Sequence, residues 1–370
     1  MISALHQRSK QDEPLSEINQ RFTDRLMVTS MKLITVVIPM RNEAKHIGAV
    51  LDALLTQDYP KDRFELIVID GQSEDDSKTI VLEYAGNYPN IRLFDNPKRL
   101  SSAARNIGVR EARGEIILII DGHCLIDNKQ MLANVNASMQ DQDVHSLGRP
   151  QPLFLDKANV TQRAIAMARH SRLGHHPDSF IYSDEPQKVP AISVAVAYRK
   201  NVFGQVGLFD ERFDVCEDCE LNYRLDLAGF HCYFVPDIAV RYVPRDSVFR
   251  LGKQMIRYGR GRVRLAKKHP KTFSLKMFMP ALLVLGLIAG GLLSFFSMPV
   301  AFVYGGVIAV YFAVIALESV RLSVVNRFLP GLILLPVVFL TIHLASGYGE
   351  LVELFSRLKS EYEVKSKHEA

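Results

Sequence analysis

From Met277 to Leu317 the chain carries no Asp, Glu, Lys, Arg or His. A helix rises about 1.5 Å per residue, so these 41 residues reach about 60 Å, roughly twice the hydrocarbon thickness of a bilayer. One crossing cannot hold them. Ser297, Met298 and Pro299 lie near the middle and can make a tight turn. Two spans are therefore expected, about 278–297 and 300–318, joined as a hairpin. A third apolar segment, about 328–349, is interrupted by Pro330, Pro336 and His343. Both a third crossing and a re-entrant or interfacial segment fit it. So few spans beside a large polar domain argue against a channel or transporter.

The charge pattern sharpens this. Arg257, Arg260, Arg262, Arg264, Lys267, Lys268 and Lys271 stand together just before the apolar run. Such a cluster suits the anionic cytoplasmic leaflet or a phosphate-bearing ligand. No nucleic-acid-binding motif accompanies it, so nucleic acid is not an expected partner. The positive-inside rule puts this cluster, with Arg321 and Arg327, in the cytoplasm. Three crossings would leave the basic tail (Arg357, Lys359, Lys365, Lys367) outside, against the same rule. The N-terminus has no apolar h-region and predicts no cleaved signal peptide. The four cysteines, Cys216-x-x-Cys219 among them, predict neither a disulfide framework nor a zinc set.

Five regions are expected: a polar extension (1–32) without an assignable role, a catalytic domain (33–250), a basic juxtamembrane segment (251–276), the transmembrane region (277–349) and a tail (350–370). Within the second, Leu33–Ile38, Glu65–Asp70 and Glu115–Asp121 are continuous apolar runs of the kind that form buried parallel strands. Helical spacing of Ile47, Val50, Leu51, Leu54 and Leu55 follows the first run. A helix to about Tyr84 follows the second, then a short strand, Ile91–Phe94, and a helix, Ala103–Ala112. The alternation predicts an α/β fold with a mainly parallel central sheet and flanking helices. Val189–Tyr198 reads as one further strand, Gly204–Glu220 as an acidic loop and Leu221–Gly229 as a helix stopped by glycine.

In such sheets ligands bind at the carboxyl ends of strands. Asp70 and Asp121 each end a strand, and the first strand leads through Pro39 into Arg41, Asn42 and Glu43. Three polar clusters thus converge on one edge. An Asp oxygen and a His nitrogen one residue apart, as in Asp121-Gly-His123, can both face a divalent cation. Transfer of a sugar from a nucleotide diphosphate needs positive charge at the leaving diphosphate and a carboxylate to take the acceptor's proton. Glu217-Asp218 offers the second.

These residues occur in one order: Pro39-x-Arg-Asn-Glu43, Ile69-Asp70-Gly71 with Ser73 and Asp75, Ala104-Arg-Asn-x-Gly108, Asp121-x-His123, Gly207-x-Phe-Asp-Glu211 and Glu217-Asp218. Together they resemble the family 2 glycosyltransferases of GT-A fold over about residues 33–260. Gly148-Arg-Pro150 and Gln254-Met-Ile-Arg-Tyr-Gly-Arg-Gly-Arg262 resemble the succinoglycan-type exopolysaccharide transferases. The resemblance implies that Asp70 contacts the nucleobase, with Pro39, Arg41, Glu43 and Ser73 lining that pocket. It implies that Arg105 approaches the diphosphate and that Asp121 and His123 hold Mg²⁺ or Mn²⁺ against it. Asp218 would be the general base with Glu217 beside it, and Gln254, Arg257 and Tyr258 would lie near the acceptor or leaving diphosphate. The implied reaction is an inverting transfer.

Two departures bear on function. The common metal motif is Asp-x-Asp, and here the third residue is His123. The processive synthases carry Gln-x-x-Arg-Trp, and here Tyr258 replaces the Trp with no apolar span ahead of the domain. A single-transfer enzyme is therefore expected. Its donor would be a nucleotide-diphosphate sugar. Its acceptor would be a polyprenyl-linked saccharide, and it would work at a bacterial inner membrane from the cytoplasmic side. A polyprenyl-phosphate glycosyltransferase is the nearest alternative, and a catalytically inactive membrane scaffold the alternative from another class. Oligomeric state is open.

Overall fold

A computed structural model describes residues 31–156, 158–175 and 180–356. Most of the expected extension and the four basic residues of the tail lie outside the described residues. Four strands form the parallel half of the sheet: β1 (Ile34–Met40), β2 (Phe64–Asp70), β3 (Ile91–Asp95) and β4 (Ile116–Ile119), in the order β3-β2-β1-β4. Three helices connect them: α1 (Ile47–Leu55), α2 (Ser77–Asn87) and α3 (Ser101–Glu111). β1 and β2 have apolar side chains on both faces because both faces are covered. Ile34, Val36 and Ile38 join α1 in one core, while Val37, Ile67 and Ile69 join Ala104 and Val109 of α3 in another. A Cβ at Gly108 would run into the Val37 side chain, so α3 lies directly on β1.

The second half is mixed. It holds α4 (Met131–Ser138), β5 (Ser146–Gly148), α5 (Val160–His170), β6 (Gln187–Val189), α6 (Ala191–Val194), β7 (Ala195–Arg199), α7 (Val202–Val206), α8 (Glu217–Leu227) and β8 (Cys232–Phe234). The sheet continues from β4 as β7-β5-β8-β6, with β7 antiparallel to both β4 and β5. The single strand expected over Val189–Tyr198 is two strands parted by α6. The Asp226 carboxylate accepts from Ala191 N (2.7 Å) and Ile192 N (3.0 Å), which satisfies the free donors of that helical turn. α8 starts at Glu217, four residues ahead of the expected helix. β4 stops at Ile119, so Asp121 stands on the turn beyond it.

After β8 comes α9 (Val248–Lys268), whose Ser247 side chain caps its start at Arg250 N. Three apolar helices follow: α10 (Met279–Ser294), α11 (Met298–Val325) and α12 (Gly331–Phe355); α11, α12 and α10 taken with the turn before it (Leu275–Ser294) are each long enough to cross a membrane. α10 and α11 meet at the turn expected around Ser297. Of α10, only Ala281 is buried.

Candidate active site

The end of β1 and the loop after β2 are stitched together. Asp70, buried at the end of β2, accepts from Ser73 Oγ (2.6 Å) and Ser73 N (3.2 Å). Ser73 Oγ in turn accepts from Asn42 N (2.9 Å), and Asn42 Oδ1 accepts from Glu74 N (2.8 Å). Ser77 Oγ accepts from Glu43 N at 2.7 Å. Asn42 and Gln72 hold φ of 56° and 57°, a left-handed turn that asparagine and its local hydrogen bonds tolerate. Arg41 is exposed and 3.6 Å from Glu74. Pro39 is half-buried in β1.

The turn after β4 rests on this loop. A Cβ at Gly122 would stand 3.2 Å from Met40 Cβ and 3.3 Å from Glu43 Cγ. His123 Nδ1 lies 2.9 Å from Glu43 Oε1, a contact that orients the ring and leaves Nε2 for another partner. Asp121 Oδ2 accepts from the Tyr242 hydroxyl at 2.8 Å. Arg105 of α3 is the hub: its guanidinium is 3.9 Å from Asp121 Oδ1 and 3.2 Å from Glu217 Oε1 at the start of α8.

The protonation preferences follow from this packing. Burial works against the Arg105 charge, but Glu217, Asp218 and Asp121 outweigh it and hold the guanidinium strongly protonated. Burial would raise Asp121, yet Arg105, His123 and the Tyr242 hydroxyl bring it below the usual carboxylate range. The Glu43 hydrogen bond raises His123, against burial. Glu217 goes the other way, pushed up by burial and by Asp218 despite Arg105.

Arg105 thus joins Asp121 to Glu217, the His123–Glu43 pair sits on the same turn two residues past Asp121, and Asp218 adjoins Glu217 in the first turn of α8. Asp70 and Ser73 occupy the neighbouring strand end. Gln254, Arg257 and Tyr258 lie on α9, outside that cluster. Gln254 Nε2 donates to the Tyr258 hydroxyl (3.0 Å), and Arg257 donates to Asp214 O (2.9 Å) just ahead of Glu217. Among the described residues no three His, Cys, Asp or Glu side chains gather to hold an ion by themselves. Asp121 and the oriented His123 are the residues here that could contribute ligands to a divalent cation, with substrate phosphate oxygens supplying the rest.

Two more residues bear on Asp121, Tyr242 outside the motifs and Arg149 in a motif that gave it no role there. Tyr242 reaches Asp121 from beyond β8, with no local pattern to mark it. Arg149 is 1% exposed, donates to Ile119 O at 3.2 Å, and its charge acts on Asp121. Among the described residues its Nε and one terminal nitrogen are buried without hydrogen-bond partners. Two residues on, Gln151 lines a cavity of about 590 Å³. Arg169, Arg172, Arg262 and Lys276 bring positive charge to its wall, while Tyr258, Met279 and Leu283 add less polar surface.

The family model for "Glycosyltransferase like family 2" matches residues 32–261. A Methanococcus voltae dolichyl N-acetyl-α-D-glucosaminyl phosphate 3-β-D-2,3-diacetamido-2,3-dideoxy-β-D-glucuronosyltransferase is 27% identical over 325 residues, covering 86% of this chain and 96% of that one. The Rhizobium meliloti (strain 1021) succinoglycan biosynthesis protein ExoA is 30% identical over 269 residues, 70% of this chain and 76% of that one. In fold, the chain resembles a Pyrobaculum calidifontis mannosyltransferase solved with GDP-Man and Mn²⁺. The TM-score is 0.57 at 19% identity, over 92% of this chain and 94% of that one.

Proposed function

Since this chain belongs to glycosyltransferase family 2 and has the GT-A fold, we propose that it moves one sugar from a nucleotide-diphosphate sugar to a lipid-linked saccharide, inverting the anomeric centre. One observation carries the reading: Arg105 draws Asp121 at a strand end and Glu217-Asp218 at a helix start to a single point. A leaving diphosphate and an attacking hydroxyl need such opposed groups.

Asp70 and Ser73 hold the nucleobase side of the donor, beside Pro39, Arg41 and Glu43. Asp121 and His123 would hold Mg²⁺ or Mn²⁺. A divalent cation there supplies positive charge to the departing diphosphate. Glu217 is engaged by Arg105, and burial pushes it toward the neutral form. That leaves Asp218 as the base that takes the acceptor's proton. Gln254, Arg257 and Tyr258 serve the acceptor side.

The lipid-linked acceptor is supported by three facts. The Methanococcus relative is named for a dolichyl-linked substrate. Apolar helices adjoin the catalytic domain. The 590 Å³ cavity combines four cationic residues with apolar ones, as a phosphorylated lipid requires. The basic α9 supports a cytoplasmic face of a bacterial inner membrane.

The test is transfer from a panel of nucleotide sugars into lipid extract with Mg²⁺ or Mn²⁺, with bare polyprenyl phosphate as a separate arm. Asp218→Asn is expected to lower turnover by about 10²- to 10⁴-fold while nucleotide affinity stays the same. Wild-type turnover in that variant would remove Asp218 from the base role.

A further inference from the structure

α10, α11 and α12 have similar hydropathy, at 2.1, 2.4 and 1.8, but different surroundings. Only 11% and 6% of the most apolar windows of the first two are buried, against 39% for α12. The buried positions of α12 form a stripe along its whole length, from Gly331, Leu335, Val338, Phe339 and Ile342 to Gly349 and Glu353. We propose that α12 does not cross the membrane: it lies in the bilayer interface beneath the catalytic domain, and only α10 and α11 span. The proposal rests on reading those two as a crossing hairpin.

The argument is one of register. α12 runs alongside α9 in the same direction. Thr341 faces Gly252, Ser346 faces Gly259, and Gly349 packs on the Ile256 carbonyl. Farther along, Arg264 donates to Glu353 at 3.0 and 3.1 Å, and Lys267 donates to the Ser356 carbonyl. The last two pairs share one offset of 89 residues. α9 carries Arg250, Lys253, Arg257, Arg260, Arg262, Arg264, Lys267 and Lys268 in 21 residues. At about 2.5–3.5 kcal/mol or more for each charge at the bilayer centre, α9 cannot cross. A helix that keeps pace with it from Thr341 to Ser356 cannot cross there either. The ten residues that remain, 331–340, reach about 15 Å, half a hydrocarbon core.

The other end gives the same answer. The Arg163 guanidinium of α5 lies 4.9 Å over the Phe328 ring just before α12, and His343 Nε2 is 2.8 Å from the Leu173 carbonyl after α5. α5 belongs to the polar domain: its capping Asn159 and Gln162 donate to the Asp246 and Pro244 carbonyls. Both ends of α12 therefore touch the same domain, on the same side of the hairpin. α11 supports this. From Met298 to Leu317 it is about 30 Å of uncharged helix, one bilayer core. Its far end, with the buried Ile315, Ser319 and Leu322 and the Glu318–Arg321 pair, packs under the domain.

The occupant of the outer face of α12 is lipid. Ile333, Val337, Tyr348, Leu354 and Phe355 are 44–85% exposed there, continuous with the exposed walls of α10 and α11. An apolar face opposite one held by protein is the signature of a helix lying in the interface. The tail then starts on the same side as α9, which removes the conflict between its basic residues and the positive-inside rule.

The test uses the full chain in intact and permeabilised bacterial cells, with a membrane-impermeant maleimide read at each introduced cysteine by peptide mass. Glu83→Cys marks the catalytic domain, Ser297→Cys the hairpin turn and Ser366→Cys the tail. Glu83→Cys and Ser366→Cys are expected to react from one side and Ser297→Cys from the other, whichever side is cytoplasmic. Glu83→Cys and Ser366→Cys reacting from opposite sides would overturn the placement of α12. Ser297→Cys reacting from the side of Glu83→Cys would overturn the hairpin instead. A depth measurement separates the two geometries again. Quenching by lipid-borne probes at Ile333→Cys, Leu340→Cys and Val352→Cys should be shallow throughout, whereas a maximum at the middle position would mean a crossing.

Discussion

The two walls of the candidate site are held by different forces. The wall proposed to take the donor consists of the ends of β1, β2 and β4, strands buried along nearly all of their length, and of loops closed by short hydrogen bonds at Ser73, Asn42 and Ser77. Its geometry follows from the core. The wall opposite, Asp210–Glu220, is held by α9. Lys268 Nζ is 2.6 Å from Asp210 and 2.7 Å from Glu220. Arg264 pairs with Asp214, and Arg257 donates to the Asp214 carbonyl. A Cβ at Gly261 would meet the Cys216 side chain, so α9 also packs against the start of α8. The lesson is a division of labour: damage to the donor wall should weaken substrate binding, and damage to α9 should reach the chemistry with the donor still bound.

Asp121→Ala is the strongest way to break the donor wall. It removes the Tyr242 acceptor and one of the two candidate metal donors. A loss of about 10²- to 10³-fold in kcat/KM is expected, of the size seen when a charge-stabilising group is lost, with weaker metal-dependent nucleotide binding. Titration of nucleotide with and without Mn²⁺ checks this, and unchanged metal dependence would count against the site. The counterpart on the other wall is Arg264→Met. It leaves Glu353, which is 2% exposed, and Asp214 short of a cation. Breaking a buried pair from one side costs about 3–5 kcal/mol, lowered here by the remaining Arg260–Glu353 contact at 3.0 Å. Turnover should fall about tenfold, on the order of 1.4 kcal/mol, while donor KM holds. An equal rise in KM would mean that the two walls are not separable.

A smaller effect is expected from Gly349→Val. The added side chain meets the Ile256 backbone across the α9–α12 contact, and overpacking costs about 1–3 kcal/mol. A Tm drop of a few degrees in detergent, with donor affinity intact, would place this contact on the stability of the membrane-proximal layer alone.

The same division explains what the sequence made legible. Part of the donor wall depends on residues a few positions apart, such as Asp70 with Ser73 or Asp75 with Ser77. Apolar runs locate the strands, and strand ends locate the site. Asp121 was visible for that reason, whereas Glu217-Asp218 stood out as an acidic pair in a loop and through the order of the motifs. Tyr242 was not visible: it meets Asp121 from 121 positions away, and no period or motif encodes such a contact. α6 was hidden because its capping carboxylate, Asp226, is 35 positions from Ala191. α12 shows the limit most clearly. Its prolines, His343 and the basic tail left a crossing and an interfacial segment both open, and the proposed choice between them comes from its burial and its register against α9.

The least of the expected effects concerns pH. Burial would raise the Glu220 carboxyl, but hydrogen bonds from Arg224, Lys268 and His269 bring it below its ordinary value. Asp210 is lowered likewise, by Arg212 and Lys268 against burial. A group depressed on folding stabilises the native state above its unfolded pKa, about 3.9 for Asp and 4.3 for Glu. That contribution is lost as pH falls through the folded value. The α8–α9 junction should therefore hold at neutral pH and weaken below about pH 5. Thermal unfolding in detergent from pH 7 to pH 4 should show a falling Tm. In Glu220→Gln the neutral-pH Tm should start lower and its acid decline should be shallower, because one of the carboxylates that must be protonated is gone. A parallel decline in both proteins would place the acid sensitivity elsewhere. Asp121 on the donor wall, where burial would raise the carboxyl but Arg105 lowers it, would then be the place to look.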